Sequence, residues 1–147
     1  VLAHGFFDTG RCWAPLAAEF RDDYTVVTYD ARGHGRSEAP GHGYGIDDRV
    51  ADLVGVLDAL DVDDPMLLGH SMGGSTVAAT AARYPDQPRG IILEDPAGMH
   101  GAPETGPDER ATMVRERIES HAEQSVAEIA AEYDDRDPKL ARRLAVA

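Results

Sequence analysis

The chain carries a single cysteine, Cys12. That excludes an internal disulfide and fits a reducing compartment, so a cytoplasmic location is the expectation. Long apolar runs are lacking as well, and nothing approaches the roughly 20 residues that a membrane span requires. Basic residues are scarce: 14 Lys and Arg stand against 27 Asp and Glu, a formal charge of −13. Phosphate contacts need clustered cations, so this balance argues against nucleic acid and equally against anionic membranes. The excess acid is read as a solubility feature. The opening residues, VLAHGFFDTG, contain no initiator Met and no basic, apolar and cleavage regions of a signal peptide. They read as the middle of a buried strand, which predicts a truncated reading frame.

What remains is ordinary for one globular core: 147 residues, 42% of them apolar. The pattern alternates strand, turn and helix. Val1–Ala3 reads as a strand end. Cys12–Phe20 has helical spacing, with Trp13, Leu16, Ala17 and Phe20 on one face and Cys12 as a small core residue. Thr25–Tyr29 is β-branched and aromatic, so a buried strand is predicted. Ala31–Gly45 is rich in glycine and must be loop. From Ile46 to Leu60, Val50, Leu53, Val54, Leu57 and Leu60 recur at helical intervals, and Asp47 and Asp48 suit the first turn. Pro65–Leu68 is predicted as a strand, Gly73–Tyr84 as an Ala-rich helix stopped by Pro85, and Gly90–Leu93 as a further strand. Strands separated by helices imply a parallel α/β sheet.

The character changes after Pro96, which predicts a first domain over 1–97 and a second over 98–147. Gly98–Pro107 reads as a linker. Asp108–Tyr133 reads as one charged helix with an apolar stripe of Met113, Val114, Ile118, Val126, Ile129 and Tyr133. Pro138 is predicted to open another helix with Leu140 and Leu144 inward.

The strongest chemical signal is Gly69-His70-Ser71-Met72-Gly73-Gly74. It fits G-x-S-x-G, with an apolar strand before it and an Ala-rich helix after it. A serine hydroxyl is a poor nucleophile unless a sharp turn presents it where a base can reach. Such a turn strains the backbone, so the residues two positions away must be small, as Gly69 and Gly73 are. The following helix points its N-terminal N–H groups and positive dipole end at the site. Two other segments accompany it, His4-Gly5-Phe6 at the end of the first strand and Asp30-Ala31-Arg32-Gly33-His34-Gly35-Arg36-Ser37 after the second. No metal or nucleotide motif is present: the glycines of Gly33–Gly45 do not follow G-x-G-x-x-G, and the histidines lack ligand spacing.

These three segments resemble the α/β-hydrolase superfamily over about the first hundred residues, from its third strand to its sixth. The resemblance implies a partial α/β-hydrolase fold, with the residues after Pro96 as the start of a helical cap. It makes Ser71 the nucleophile and the backbone N–H groups of Phe6 and Met72 the oxyanion hole. Asp30 and Arg32 become a structural pair in the D-x-R-G-x-G-x-S loop. The acid follows the sixth strand in some members, which points to Asp95, with Glu94 as the weaker choice. The base follows the last strand, where none of the six histidines lies. His4 belongs to the oxyanion motif, His70 flanks the nucleophile, His34 and His42 are in the loop, and His121 is on a cap helix. His100, in the linker, is the nearest alternative; otherwise the base lies outside this chain and turnover by residues 1–147 is feeble.

Epoxide hydrolases and haloalkane dehalogenases of this fold place an aspartate at the nucleophile position, and dienelactone hydrolases a cysteine. Serine implies an esterase-like hydrolase acting through an acyl-enzyme on a small substrate, with no cofactor. The competing expectation is a non-catalytic small-ligand-binding member of the same fold. A sheet with unpaired edges is also expected to self-associate.

Overall fold

The computed structural model describes residues 1–99, 101 and 106–131. They belong to two units, Val1–Met99 and His100–Ala147. In the first, β1 (Leu2–Ala3), β2 (Met66–His70) and β3 (Gly90–Glu94) form a parallel sheet in that order. Leu2 faces Leu68 and Ala3 faces Gly69, while β2 and β3 pair from Met66–Gly90 to His70–Glu94.

A 3-10 turn over Gly10–Trp13 leads into α1 (Ala14–Phe20). Thr9 caps the turn, Pro15 sits in the first turn of α1 where its missing N–H is harmless, and Trp13 is buried as predicted. Phe20 is exposed instead of inward and meets Tyr24 edge to face.

The strand predicted over Thr25–Tyr29 reduces to one bridge, Thr28 to Leu2, with Leu2 N–H donating to the Val27 carbonyl at 2.9 Å. Among the described residues the sheet therefore has three strands where four were expected. The reason is that β1 offers a two-residue partner, and β-branched residues form a ladder only where a neighbour exists to pair with.

Helix α2 (Ile46–Ala59) buries Val50, Leu53 and Leu57 of the five residues its period selects, whereas Val54 is half-buried and Leu60, past the helix end, is exposed. Asp48 reaches back to accept from Gly45 N–H at 3.0 Å, satisfying an end group of the helix. Helix α3 (Met72–Arg83) packs on all three strands and on α2. The core lies between them: Ala3, Leu53, Leu57, Leu67 and Val77.

The second unit holds α4 (Pro107–Glu123) and α5 (Val126–Ala131). The single helix predicted over Asp108–Tyr133 is broken at Gln124–Ser125 because Ser125 starts a new one. Glu128 N–H donates to Ser125 Oγ at 3.3 Å, and Ser125 N–H donates to Glu128 Oε2 at 2.7 Å. This reciprocal pair is a capping box. Met113, Ile118 and Val126 of the predicted stripe are exposed, and Ile129 is buried. Tyr133 and the helix expected from Pro138, with Leu140 and Leu144, lie outside the described residues. Among the described residues no helix is long and apolar enough to cross a membrane.

Candidate active site

The predicted residues converge at the C-terminal ends of the strands, where parallel α/β sheets place their ligands. Ser71 occupies the single residue between β2 and α3, with φ 48° and ψ −111°. A non-glycine residue there is strained by about 1–3 kcal/mol, and such strain persists only where the surroundings impose it. Here they do. Ser71 N–H donates to the Glu94 carbonyl at 2.9 Å, and the Ser71 carbonyl accepts from Ser75 at 3.0 Å and Ala97 at 2.9 Å.

The flanking glycines are required by contact. A Cβ at Gly69 would lie 2.3 Å from the Gly73 carbonyl oxygen, and one at Gly73 would lie 2.2 Å from the Ala3 carbonyl oxygen. The elbow and the end of β1 thus touch through bare backbone. That approach brings the start of α3 against the residues leading into Gly5 and Phe6.

Met72 is the first residue of α3 and is buried, and the first helical hydrogen bond is that of Ser75. Its N–H is one of the end groups that a helix leaves without an internal partner. Among the described residues, Phe6 N–H meets no acceptor either. The Phe6 ring is 44% exposed, so it is a surface aromatic and not a core one. Asp95 follows β3 directly, exposed and at φ 42°, in the loop that Ala97 ties to Ser71. Glu94, at the end of β3, is also exposed.

The histidines are distributed as follows. His4 is buried: Nε2 accepts from Ala31 N–H at 2.9 Å and Nδ1 donates to the Gly5 carbonyl at 2.7 Å. Burial holds its pKa below the usual imidazole value. His34 has both ring nitrogens on carbonyls, Phe6 at 2.7 Å and Arg32 at 3.0 Å. His70 turns to Asp8, with Nδ1 3.8 Å from Oδ2. Burial raises the Asp8 carboxyl, and His70 opposes the rise. His100 lies outside the described residues.

The predicted Asp30–Arg32 pair does not form. Arg32 grips Asp52 of α2 with two hydrogen bonds of 2.5 Å, approaches Asp48 to 3.6 Å and donates to the Gly43 carbonyl. A guanidinium fork matches a carboxylate bidentately, and α2 presents one at the right height. Asp30 instead accepts from Gly10 N–H at 2.8 Å and Arg36 N–H at 3.0 Å. Burial would push its carboxyl up, but these N–H groups outweigh it and hold the carboxyl low. The sequence carries no signal for Asp52, twenty residues from Arg32, nor for the contact between His34 and Phe6.

A parallel sheet with a strained serine at the sharp turn between a strand and its helix, seated on a glycine contact, defines the class as an α/β protein with a strand–serine–helix turn. A family model described as the alpha/beta hydrolase fold matches residues 1–145, and the chain belongs to that family. It is 34% identical over 95 residues to 2-(acetamidomethylene)succinate hydrolase of Mesorhizobium japonicum, covering 65% of this chain and 34% of that protein. It is 35% identical over 105 residues to 3-oxoadipate enol-lactonase 2 of Acinetobacter baylyi, covering 71% and 39%. The crystal structure of E-2-(acetamidomethylene)succinate hydrolase superposes with a TM-score of 0.76 at 26% identity, over 98% of this chain and 54% of that one. The chain spans about a third of the length of these two curated relatives.

Proposed function

We propose that this chain is the nucleophile-bearing part of a serine hydrolase that cleaves an ester-like bond in a small molecule. Ser71 Oγ adds to the substrate carbonyl, and its proton passes to a general base. The tetrahedral oxyanion sits against Phe6 and Met72 N–H, each worth about 3 kcal/mol where aligned. Collapse expels the alcohol, which takes the proton, and leaves an acyl-Ser71 ester that water hydrolyses. Asp95 is the candidate acid that orients the base. His4 and His34 are committed to backbone partners and His70 faces Asp8, so none of these three is the base, which is assigned to the histidine that the family places after its last strand, with His100 as the alternative. The residues after Pro96 supply the beginning of a cap.

The observation that carries this reading is the Ser71 backbone, at φ 48° in a site where glycine would be free of strain. Serine there makes sense for its hydroxyl. The test is a fluorophosphonate probe, with intact masses read for the chain and for Ser71→Ala. Labelling of the parent alone supports an activated Ser71. A folded parent that resists the probe means that the triad is incomplete within residues 1–147, and labelling that persists in Ser71→Ala refutes Ser71 as the nucleophile.

A further inference from the structure

The two peptide planes flanking the Phe6 Cα are each held at their carbonyl by an imidazole. The Gly5 carbonyl accepts from His4 Nδ1 at 2.7 Å and from Asp8 N–H at 3.1 Å. The Phe6 carbonyl accepts from His34 Nε2 at 2.7 Å. Partners fix the protons. Ala31 N–H donates to His4 Nε2, so the His4 proton sits on Nδ1. Each His34 nitrogen faces a carbonyl and a neutral imidazole carries one N–H, so the shorter contact, 2.7 Å to Phe6 against 3.0 Å to Arg32, assigns that N–H to Nε2. The two rings also meet each other edge to face at 5.1 Å, and His34 meets the Phe6 ring at 5.6 Å.

A trans peptide is planar, with its N–H antiparallel to its C=O. Holding the Gly5 carbonyl therefore aims Phe6 N–H the opposite way, away from His4. Holding the Phe6 carbonyl fixes the next plane. Both backbone dihedrals of Phe6 are then set by hydrogen bonds, although Phe6 stands in no helix or strand.

We propose that His34 is a positioning residue for the oxyanion hole, completing with His4 a two-imidazole clamp that holds Phe6 N–H in its donating direction. The proposal rests on the reading of Phe6 as an oxyanion donor. Oxyanion donors act by being aimed before charge develops, so a donor free to swing loses most of its effect.

His34→Phe keeps the ring contacts and removes the donor, whereas His34→Gln returns an N–H near the Nε2 position. In the ¹⁵N-labelled chain, order parameters of the Phe6 and Phe7 amides read the clamp directly, and α3 amides report an intact fold. The expected values are about 0.85 for the parent and the Gln variant and below about 0.6 for the Phe variant. Equal values in parent and Phe variant, with α3 unchanged, overturn the clamp. Fluorophosphonate labelling of Ser71 then tests its purpose: the Phe variant should label about tenfold slower, part of what one donor contributes, and Gln should restore the rate. A loosened Phe6 with unchanged labelling overturns the positioning role. A parent that never labels means that the base is missing from this chain, while the order parameters still decide the clamp.

Discussion

One substitution placed at two sites should change stability in opposite directions. At Gly73 an added Cβ meets three backbone atoms, Ala3 O at 2.2 Å, Ala3 C at 2.5 Å and His4 O at 2.7 Å. None is a flexible side-chain end. Clearing them means moving α3 off the end of β1 by about an ångström, through the layer that holds Leu67 and Val77. Overpacking costs about 1–3 kcal/mol where side chains can yield, and more where they cannot. The expected loss for Gly73→Ala is about 4 kcal/mol. At Gly55, in the middle of α2 and exposed, a Cβ meets nothing within 4 Å. There Gly55→Ala should gain about 0.8 kcal/mol, because alanine loses less entropy in a helix. Trp13, the sole tryptophan, is buried and reports this unit by fluorescence. With a urea slope of about 2 kcal/mol/M, the midpoint should fall by about 2 M for Gly73→Ala and rise by about 0.4 M for Gly55→Ala. A Gly73→Ala protein as stable as its parent would refute the backbone contact on which the elbow depends.

Ser71→Gly should abolish probe labelling and yet stabilise the chain by about 1 kcal/mol, since glycine adopts φ 48° without strain; a lower urea midpoint would contradict this. Burial lowers the His4 pKa from 6.5, so below that pH the unfolded chain binds the additional proton. His4 therefore adds stability that is complete above about pH 7 and declines as pH falls through 6.5 towards the folded value. Asp8, whose carboxyl is raised by burial, acts in the opposite sense at lower pH, so the deciding measurement is the His4 ring titration by NMR: a value at or above 6.5 sinks the argument. Burial pushes the Cys12 thiol up to about 12, so a disulfide reagent at pH 8 should react very slowly with the native chain and fast in urea.

Where a signal was local, the sequence disclosed it. The 3.6-residue period and paired aspartates placed α2, and G-x-S-x-G within strand and helix placed the elbow. The small neighbours were explicable beforehand, because a sharp turn has no room for a side chain. What depended on distant partners was hidden. Thr25–Tyr29 has strand-forming residues, but its pairing is limited by the two residues of β1. Arg32 has Asp30 close in sequence, whereas Asp52 is brought to it only by the packing of α2. The break in the second unit was legible in principle, since Ser125 and Glu128 have capping-box spacing, but the apolar stripe masked it. His34 reads as one more loop histidine until the fold lays its ring on Phe6.

Strand β3 pairs on one side only among the described residues, and Ile91 and Ile92 on it are exposed. An open strand edge is a template for another copy of itself. What opposes that association is mutual repulsion between chains of charge −13. Repulsion of this kind reaches about 10 Å in 0.1 M salt but only about 3 Å in 1 M. Ionic strength is therefore the control on whether copies stay apart. For a chain with this edge open, dilute buffer should keep copies apart and added salt should bring them together.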